Sequence, residues 1–420
     1  MESKKNLKIY NFNGEKGFVT LLMAVLILVT MTSIGISMAV LIMGQHKISA
    51  NILKSTQSYW AAESGIEDAL LRLGKNMKWS SPYTLNVGDG STAITISDIV
   101  GGSRTIISEG NVLNRIRKIS VVYEITSEKI SFYYGAQVGD GGIQMQDTAK
   151  IEGNVFSNGS IVATANTEIT GTVKVAKTGN HLEGATIGED AYVDICQNSN
   201  VSSTLTCSTS TNCTAPVIEE LTEEITTTSL PISQSQIDQW KEEAKSGGTI
   251  GDYTLSGKQK VSLGPQKIEG KLTVQDTAKL TVTGTVWVTG EIVIQNSAQV
   301  FLDKNSYGSL SGVIITDSKI TVQDTPKISG SGEVGSYLML LSTLFGDPAI
   351  VVQNSPELDI IYTSQGRIQL QDSIKLRQVS GWGLRLQNKA HVIYELGLQD
   401  SSFSSGLGGS WQVTSWREIE

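Results

Sequence analysis

Residues 272–282 read LTVQDTAKLTV, and residues 292–302 repeat the same pattern as IVIQNSAQVFL. In both segments apolar and polar residues alternate, Gln is followed by Asp or Asn, and an apolar residue returns three positions after the Gln. Alternation with a period of two is typical of β-strands, and recurrence of one unit is typical of proteins whose repeats stack on one another. The pattern therefore predicts strands wound into a β-solenoid.

Seven copies of this unit lie close together in the C-terminal half of the chain, and an eighth, Gln146-Asp147-Thr148, precedes them. The intervals between the seven Gln residues are 20, 28, 30, 18, 16 and 12. The longer intervals suit one coil of a solenoid with loops of variable length, whereas the last two indicate either a narrowing cap or a flat sheet. The seven copies begin at Gln275, Gln295, Gln323, Gln353, Gln371, Gln387 and Gln399.

The residue after each Gln alternates between Asp and Asn through the seven copies. Equivalent positions of a solenoid lie about 4.8 Å apart, so an aspartate on every coil would place like charges in contact. An Asn between two aspartates removes that repulsion and can donate its amide hydrogens to the carboxylates above and below. We expect a structural ladder made of Asp276, Asn296, Asp324, Asn354, Asp372, Asn388 and Asp400.

Aspartates on neighbouring coils can also be catalytic, as in β-helix pectate lyases and glycosidases that use them to bind Ca²⁺ or as acid/base pairs. The regular alternation with Asn favours the structural interpretation. So do the lysines three residues after an Asp, which predict charge compensation within a coil: Lys150, Lys279, Lys327 and Lys375. The histidines lie far apart at 46, 181 and 391, so we expect no catalytic, cofactor-binding or metal-binding residue and no enzymatic activity.

Composition points to several structural units rather than one globular core. The chain has 420 residues, 42 Gly, 7 Pro and only 18% charged residues, a balance that suits many short strands joined by tight turns. Its formal net charge is -8 and no basic run is present, which argues against a nucleic-acid partner.

The three cysteines, Cys196, Cys207 and Cys213, fall in one Ser/Thr/Asn-rich stretch and lack the spacing of a zinc site. Cys207 and Cys213 are separated by five residues and would close a small loop in an oxidising compartment, while unpaired surface thiols are an equally supported alternative. We expect this stretch, with a helix over residues 235–245, to interrupt the solenoid.

The amino terminus predicts a membrane-spanning helix. From Phe18 to Met43 no side chain is charged, and 26 residues at about 1.5 Å each span roughly 39 Å. Lysines outnumber acids before this run, so the first residues are expected in the cytoplasm and the bulk of the chain outside it. A cleaved signal peptide would have a shorter apolar region. Helical spacing of apolar residues continues to residue 76, and alternating strands over residues 92–125 predict a small antiparallel sheet.

Two segments carry a resemblance to a known family. Residues 16–22, KGFVTLL, resemble a prepilin cleavage site, and residues 59–67, YWAAESGIE, resemble the helix of PilX-type minor pilins of the type IV pilus. The resemblance covers about the first fifth of the chain. It implies cleavage after Gly17 by a prepilin peptidase, N-methylation of Phe18, and other pilins and pilus assembly proteins as partners. Major pilins carry Glu at the fifth mature position, where this chain has Leu22, so a minor or tip subunit is favoured.

The expected fold is mainly β: a long transmembrane helix, a small antiparallel sheet, and a β-solenoid with one inserted helix. The expected function is a single-pass, non-enzymatic surface protein of pilus assembly or display, with the solenoid as a spacer or as an adhesive module for a surface polysaccharide or a partner cell. A plain membrane anchor, a tethered carbohydrate-active enzyme and a secretion-system pseudopilin are the alternatives. The expected segments are leader 1–17, helix 18–76, sheet 77–134, solenoid block 135–197, cysteine-containing linker 198–248 and solenoid block 249–420.

Overall fold

The computed structural model describes residues 14–74, 77, 80–100, 103–125, 127–164, 166–406 and 411–419. The expected leader therefore falls mostly outside the described residues. The chain is mainly β, with 45% strand and 20% helix. It divides into two compact units, one made of residues 1–96, 106–121 and 416–420, and the other of residues 97–105 and 122–415.

Short strands are the commonest elements among the described residues, and four helices accompany them. The helices are α1 (Gly14–Gly74), α2 (Gln234–Ser246), α3 (Lys304–Tyr307) and the 3₁₀ helix η1 (Leu396–Asp400). In chain order the strands are β1 (Tyr83–Val87), β2 (Gly90–Ile96), β3 (Ser103–Val112), β4 (Arg115–Ile125), β5 (Ser127–Lys129), β6 (Ala136–Met145), β7 (Lys150–Glu152), β8 (Val155–Ser157), β9 (Ile161–Ala163), β10 (Glu168–Ile169), β11 (Val173–Val175), β12 (His181–Glu183), β13 (Thr186–Ile187), β14 (Ala191–Gln197), β15 (Asn200–Val201), β16 (Thr204–Thr211), β17 (Val217–Glu220), β18 (Thr249–Ile250), β19 (Tyr253–Leu255), β20 (Lys260–Leu263), β21 (Gln266–Ile268), β22 (Leu272–Val274), β23 (Lys279–Val282), β24 (Val286–Val288), β25 (Ile292–Ile294), β26 (Gln299–Leu302), β27 (Gly312–Thr316), β28 (Ile320–Val322), β29 (Lys327–Ser329), β30 (Leu338–Ser342), β31 (Ile350–Val352), β32 (Glu357–Thr363), β33 (Arg367–Gln371), β34 (Lys375–Gln387), β35 (His391–Ile393), β36 (Ser402–Ser404) and β37 (Trp411–Ile419).

Helix α1 has 61 residues and is about 91 Å long at the usual rise per residue. Every side chain from Phe18 to Met43 is exposed, and the segment is long and apolar enough to cross a membrane. The helix begins before the predicted residue 18 and ends at Gly74, because the apolar pattern and the absence of proline continue without a break between the two.

A small sheet follows the helix, in the strand order β1-β2-β3-β4-β37. Strands β1, β2 and β3 pair antiparallel. The last strand comes from the C-terminus, which the sequence analysis had assigned to the second solenoid block. The block 249–420 is therefore too long by this strand, whose alternating sequence WQVTSWREI suits a sheet as well as a coil.

The outer half of α1 packs on this sheet through small side chains. Ala61, Ala62 and Ile66 are at most 1% exposed. A Cβ atom on Gly110 of β3 would lie 2.0 Å from the Ser58 carbonyl oxygen, so only glycine lets the strand come this close to the helix. The Ser58 hydroxyl also accepts a hydrogen bond from the Val112 N–H (3.2 Å). Helix and sheet therefore form one packed body in the first unit.

The second unit is a stack of parallel strands arranged in three columns. From β18 to β29 each strand pairs with the strand three places further along the chain, so we call three successive strands a rung; longer strands such as β32 and β34 pair in two columns. Face A contains β20, β23, β26 and β29, face B contains β21, β24, β27 and β30, and face C contains β22, β25, β28 and β31.

The chain does not fill this stack in sequence order. Strand β34 pairs in parallel with β6, and β35 pairs with β7, so the last rungs of the C-terminal block lie directly against the first rungs of the N-terminal block. Leu384 aligns with Ile143, and Val392 aligns with Ile151. The two predicted blocks are thus one continuous stack.

The predicted linker 198–248 is wrong over its first part, because β15, β16 and β17 continue the stack to Glu220. Buried Val201 and Leu205 supply the interior side chains that another rung needs. Residues 221–233 then run back along the outside of the stack. Their carbonyl groups accept hydrogen bonds from successive rungs: Lys177 N–H to Ile225 (3.1 Å), Asn158 Nδ2 to Thr228 (2.9 Å) and Gln137 Nε2 to Ser229 (2.8 Å).

Helix α2 covers the outside of face B, close to the predicted range of 235–245. Ser233 caps it by accepting the Gln236 N–H (3.2 Å), and Gly247 follows its last residue. Buried Ile237 and Trp240 join a second apolar cluster outside the stack, separate from the cluster that fills the interior. Face B is therefore apolar on both sides, which explains its uninterrupted apolar strands.

Replacing Gly110 by Ala should loosen the first unit, because the new methyl group collides with the backbone of α1. Overpacking of this kind costs about 1–3 kcal/mol. Hydrogen exchange of the full chain in detergent should show faster exchange of amides in β2 and β3. Gly251→Ala is the matched control, since a Cβ there meets no atom within 4 Å. Equal exchange in the two variants would contradict the close contact.

Candidate functional site

The repeated Gln-Asp/Asn unit forms a turn at the corner between faces C and A. Each Asp or Asn of the turn has a positive φ, a conformation that Asn and Asp tolerate better than other side-chain-bearing residues. The backbone therefore favours Asn, Asp or Gly, and charge then decides between Asn and Asp. The φ angles are 62° at Asp147 and Asp276, 60° at Asn296, 72° at Asp324 and Asn354, 67° at Asp372 and 58° at Asn388.

Side-chain amides and carboxylates of this turn bond from rung to rung. Asn354 Nδ2 donates to Asp324 Oδ1 (3.1 Å), and Asn388 Nδ2 donates to Asp372 Oδ1 (2.6 Å). Backbone N–H groups join the same column, as in Asn296 to Asp324 Oδ2 (3.0 Å). Six of the seven expected ladder residues thus lie in one hydrogen-bonded column.

The column includes a residue from the far end of the sequence and excludes one that was expected in it. Asn388 N–H donates to Asp147 Oδ2 (3.1 Å), so the separate eighth copy adjoins the sixth rung of the ladder. Asp400 is outside the ladder, because residues 396–400 form η1 and not the end of a face C strand. Its carboxylate instead lies 2.7 Å from Lys129 Nζ.

The Gln side chains form a second ladder beside the first. The carboxamides bond from rung to rung in two runs, one from Gln353 to Gln275 and one from Gln371 to Gln146, and these bonds hold the orientation of the amides within each run. The bonds are Gln295 to Gln275 (2.9 Å), Gln323 to Gln295 (2.9 Å), Gln353 to Gln323 (3.1 Å), Gln371 to Gln387 (2.7 Å) and Gln387 to Gln146 (2.9 Å).

Three of the four lysines of the repeat pair with a carboxylate on a neighbouring rung and not with the Asp three residues earlier, although Lys150 also lies 3.3 Å from Glu152 of its own strand. Lys375 Nζ lies 3.5 Å and Lys327 Nζ 3.9 Å from the carboxylate of Glu357, which occupies the rung between them. Lys150 Nζ likewise lies 3.2 Å from Glu168, and its contacts with Glu168 and Glu152 raise the pKa of Lys150. These charges meet because Lys327, Glu357 and Lys375 are aligned on face A. The Asp and Asn residues of the ladder lie at the turn before that face.

Sequence reasoning missed further members of the turn column. Asn198 and Asn212 also have positive φ, 50° and 55°, and Asn212 Nδ2 donates to Asn198 Oδ1 (3.2 Å). The signal was present, because Gln197-Asn198-Ser199 repeats the unit inside the cysteine-containing stretch.

The disulfide joins Cys196 to Cys213, so the expected pair of Cys207 and Cys213 is wrong. Cys207 aligns with buried Val193 and is itself 5% exposed, which places it in the interior apolar cluster. Cys196 and Cys213 lie on adjacent rungs with their Cα atoms 6.3 Å apart. Burial, together with nearby Asp194, raises the pKa of the Cys207 thiol.

A cleft of about 670 Å³ opens where faces A and B meet, beside the loop 330–336. At its base the buried Asp359 accepts hydrogen bonds from the N–H groups of Gly330 (2.7 Å) and Leu338 (3.0 Å) and is paired with Arg377. Arg377 also lies 2.7 Å from Glu395, so this carboxylate is also paired. Burial and Glu395 raise the pKa of Tyr337 to about 12.

Among the described residues, no group of three or more His, Cys, Asp or Glu side chains is placed to hold a metal ion. Gly17 lies within α1, but its surroundings fall outside what the structure describes. Phe18 and Leu22 are 65% and 52% exposed on the apolar part of the helix.

Replacing Asn296, Asn354 and Asn388 together by Asp should lower the thermal midpoint of the second unit. Carboxylates then adjoin Asp324 and Asp372 on consecutive rungs, and each lost hydrogen bond costs about 0.5–1.5 kcal/mol. The loss should be larger at low salt than at high salt, because salt screens the repulsion.

The matched control for this triple substitution is Asn114→Asp, at an exposed turn with a φ of 63°. This control makes the same Asn-to-Asp change at a residue with the same backbone conformation, but at a position outside the ladder. Circular dichroism during heating measures both variants. An unchanged midpoint of the triple variant at low salt would show that the ladder does not stabilise the fold.

Iodoacetamide should leave all three cysteines unmodified in the folded protein and modify only Cys207 after denaturation without reductant, because Cys196 and Cys213 are linked. Reducing that link should lower the free energy of unfolding by about 3 kcal/mol, as expected for a loop of this length. Peptide mass spectrometry reads the modified site. Modification of Cys196 before reduction would contradict the pairing.

No family model matches the chain, and no curated protein matches it. A crystal structure of the competence-associated pilin ComZ from Thermus thermophilus is similar at 11% identity and a TM-score of 0.25, over 87% of this chain and 98% of that chain. A similarity at this TM-score carries no argument about fold or function.

Proposed function

We propose that the chain is a minor pilin-like, non-enzymatic surface protein that takes part in type IV pilus assembly or display. One observation carries the proposal: the fully exposed apolar segment Phe18–Met43 continues without a break into the half of α1 that packs on the small sheet. A free apolar segment of this length needs lipid or other helices around it. A cleaved signal peptide would not share a helix with a folded body.

The basic residues before the helix favour a cytoplasmic amino terminus and an extracytoplasmic second unit. The disulfide between Cys196 and Cys213 supports this orientation, because such bonds persist in oxidising compartments. Leu22 in place of the usual Glu supports a minor or tip subunit, since it offers no carboxylate to the terminal amine of a neighbouring subunit.

We further propose that the three-column stack is a β-solenoid serving as a spacer or adhesive module. Parallel pairing of strands three places apart, as in β20, β23, β26 and β29, supports this interpretation, as does one apolar cluster that fills the interior. Rungs of such a stack are spaced by about 4.8 Å, so each added rung extends the surface that is carried outward.

A tethered carbohydrate-active enzyme remains the second candidate because of the cleft beside loop 330–336. Its carboxylates are engaged in ion pairs: Asp359 and Glu395 with Arg377, Glu357 with Lys375, and Glu333 with Lys304 (2.6 Å). A carboxylate held by a cation is a poor general acid, which supports the non-enzymatic proposal. A pseudopilin of a secretion system would use the same anchor.

Cells with a prepilin peptidase should release a mature chain that begins at Phe18 with a methylated amine. Gly17→Val should block this step, because a branched side chain obstructs the peptide bond that the peptidase must approach. Intact-mass spectrometry of the membrane fraction measures both outcomes. Gly44→Ala is the control and should be processed normally, since a Cβ there meets no atom within 4 Å. A membrane protein that retains Met1 would contradict the pilin proposal.

A further inference from the structure

Face C carries outward side chains that lie in register on consecutive rungs and are half-buried, whereas the outside of face B is covered by α2 and by residues near both ends of the unit. Along the middle rungs the outward row is Thr321, Val351, Gln369, Arg385 and Gln144. This row is flat, because each strand contributes one outward residue at the same height above the sheet.

The Gln ladder borders one side of this row. Gln295 and Gln323 each use one N–H and one oxygen lone pair on their ladder neighbours and retain one of each for another partner. The inter-rung bonds fix the amide orientation in advance, so a ligand does not have to order these side chains on binding. Face C therefore presents a preorganised donor and acceptor on each of these two rungs.

Exposed aromatic rings border the other side of the row. Phe345 is 81% exposed, and the next residue, Gly346, accepts the backbone N–H of Arg367 (2.9 Å) at the start of β33. Trp382 precedes the face C part of β34 and stays 38% exposed, with the Arg367 guanidinium 5.2 Å from its ring centre. Exposed rings beside ordered amides are typical of surfaces that bind amphipathic ligands.

Two cations on this border are paired with carboxylates. Arg367 Nε lies 3.0 Å from Asp347, and Lys271 Nζ lies 3.1 Å from Glu291 on the preceding rungs of the same edge. Within the row itself, Arg385 donates to the neutral amide of Gln144 (2.9 Å). With the two rim cations paired, the face offers mainly dipoles and apolar rings, which matches an uncharged partner better than an acidic polymer.

We propose that face C, between the Gln ladder and the rim of Phe345 and Trp382, binds an extended neutral polysaccharide that lies along the stack. Sugar rings present apolar C–H faces to aromatic side chains and hydroxyl groups to amides, and a linear chain repeats these along its length as the rungs repeat theirs. The inference rests on the adhesive role within the proposed function and assigns that role to one face and one ligand class.

Full-length protein in detergent micelles should be retained by insoluble cellulose or chitin and not by immobilised polygalacturonate, an acidic polymer. Thr321→Arg should abolish retention by placing a long side chain in the outward row. Phe345→Ala should weaken it about fivefold, as expected for the loss of one exposed aromatic contact.

Two control variants separate binding from stability. Thr281→Arg makes the same change on the outward side of face A, and Leu396→Ala shortens a side chain that is 75% exposed elsewhere. Both should be retained like the unaltered protein. Absence of retention on both neutral polymers, retention on the acidic polymer alone, or equal losses in Thr281→Arg and Thr321→Arg would overturn the inference.

The same samples report on the proposed function independently. Processing at Gly17 is read from the mass of the mature chain and does not depend on face C. Normal processing without retention would therefore remove the polysaccharide inference and leave the pilin-like proposal intact. Retention of an unprocessed protein would support binding by face C and contradict the pilin-like proposal.

Discussion

The left-handed turn between faces C and A is the constraint on which the second unit depends. Its backbone selects Asn, Asp or Gly, and the side chains that meet this demand then bond to the turns above and below, as Asn354 does to Asp324. A shift of one residue in any rung would break these bonds and move interior side chains to the outside. Turn conformation, strand register and the polar ladder are therefore one requirement, and it recurs at Asn198 and Asn212, where the Gln ladder has ended.

The middle of the stack is closed by strands that lie far apart in the sequence, since β34 pairs with β6. The chain enters the middle of the stack at β6, winds to Glu220, returns along the outside as residues 221–233, and starts again at β18 so that β34 reaches β6. The central rungs are thus completed by residues about 240 positions apart, such as Gln387 and Gln146. Contacts this distant are slow to form, so the closure belongs to the last steps of folding. It also ties both halves of the stack to one cooperative core.

Much of this was accessible from sequence because it depends on local patterns. The period of two, the Gln-Asp/Asn unit, the apolar helix and the inserted helix over residues 235–245 were all predicted and lie where local chemistry puts them. The joining of β34 to β6 was not, since every copy of the repeat is an equally suitable neighbour for every other. The predicted disulfide was wrong for a similar reason. Sequence separation favours Cys207 as the partner of Cys213, but the strand register places the Cys207 side chain in the interior. Asp400 belongs to a copy of the Gln-Asp/Asn sequence unit, but it lies in a 3₁₀ helix and does not follow a face C strand.

Charged side chains at each end of the stack oppose strand pairing between two like ends. Terminal strands leave backbone groups unpaired, and β17 exposes Val217 and Ile218 by 48% and 53%, a surface on which another strand could pair. The next two residues are Glu219 and Glu220, and no Lys or Arg occurs between residues 178 and 240, so two copies meeting at this end would repel. The opposite end carries exposed Lys258 and Lys260 in and beside β20, with the same effect between like ends. The disulfide between Cys196 and Cys213 joins adjacent rungs at the acidic end of the stack.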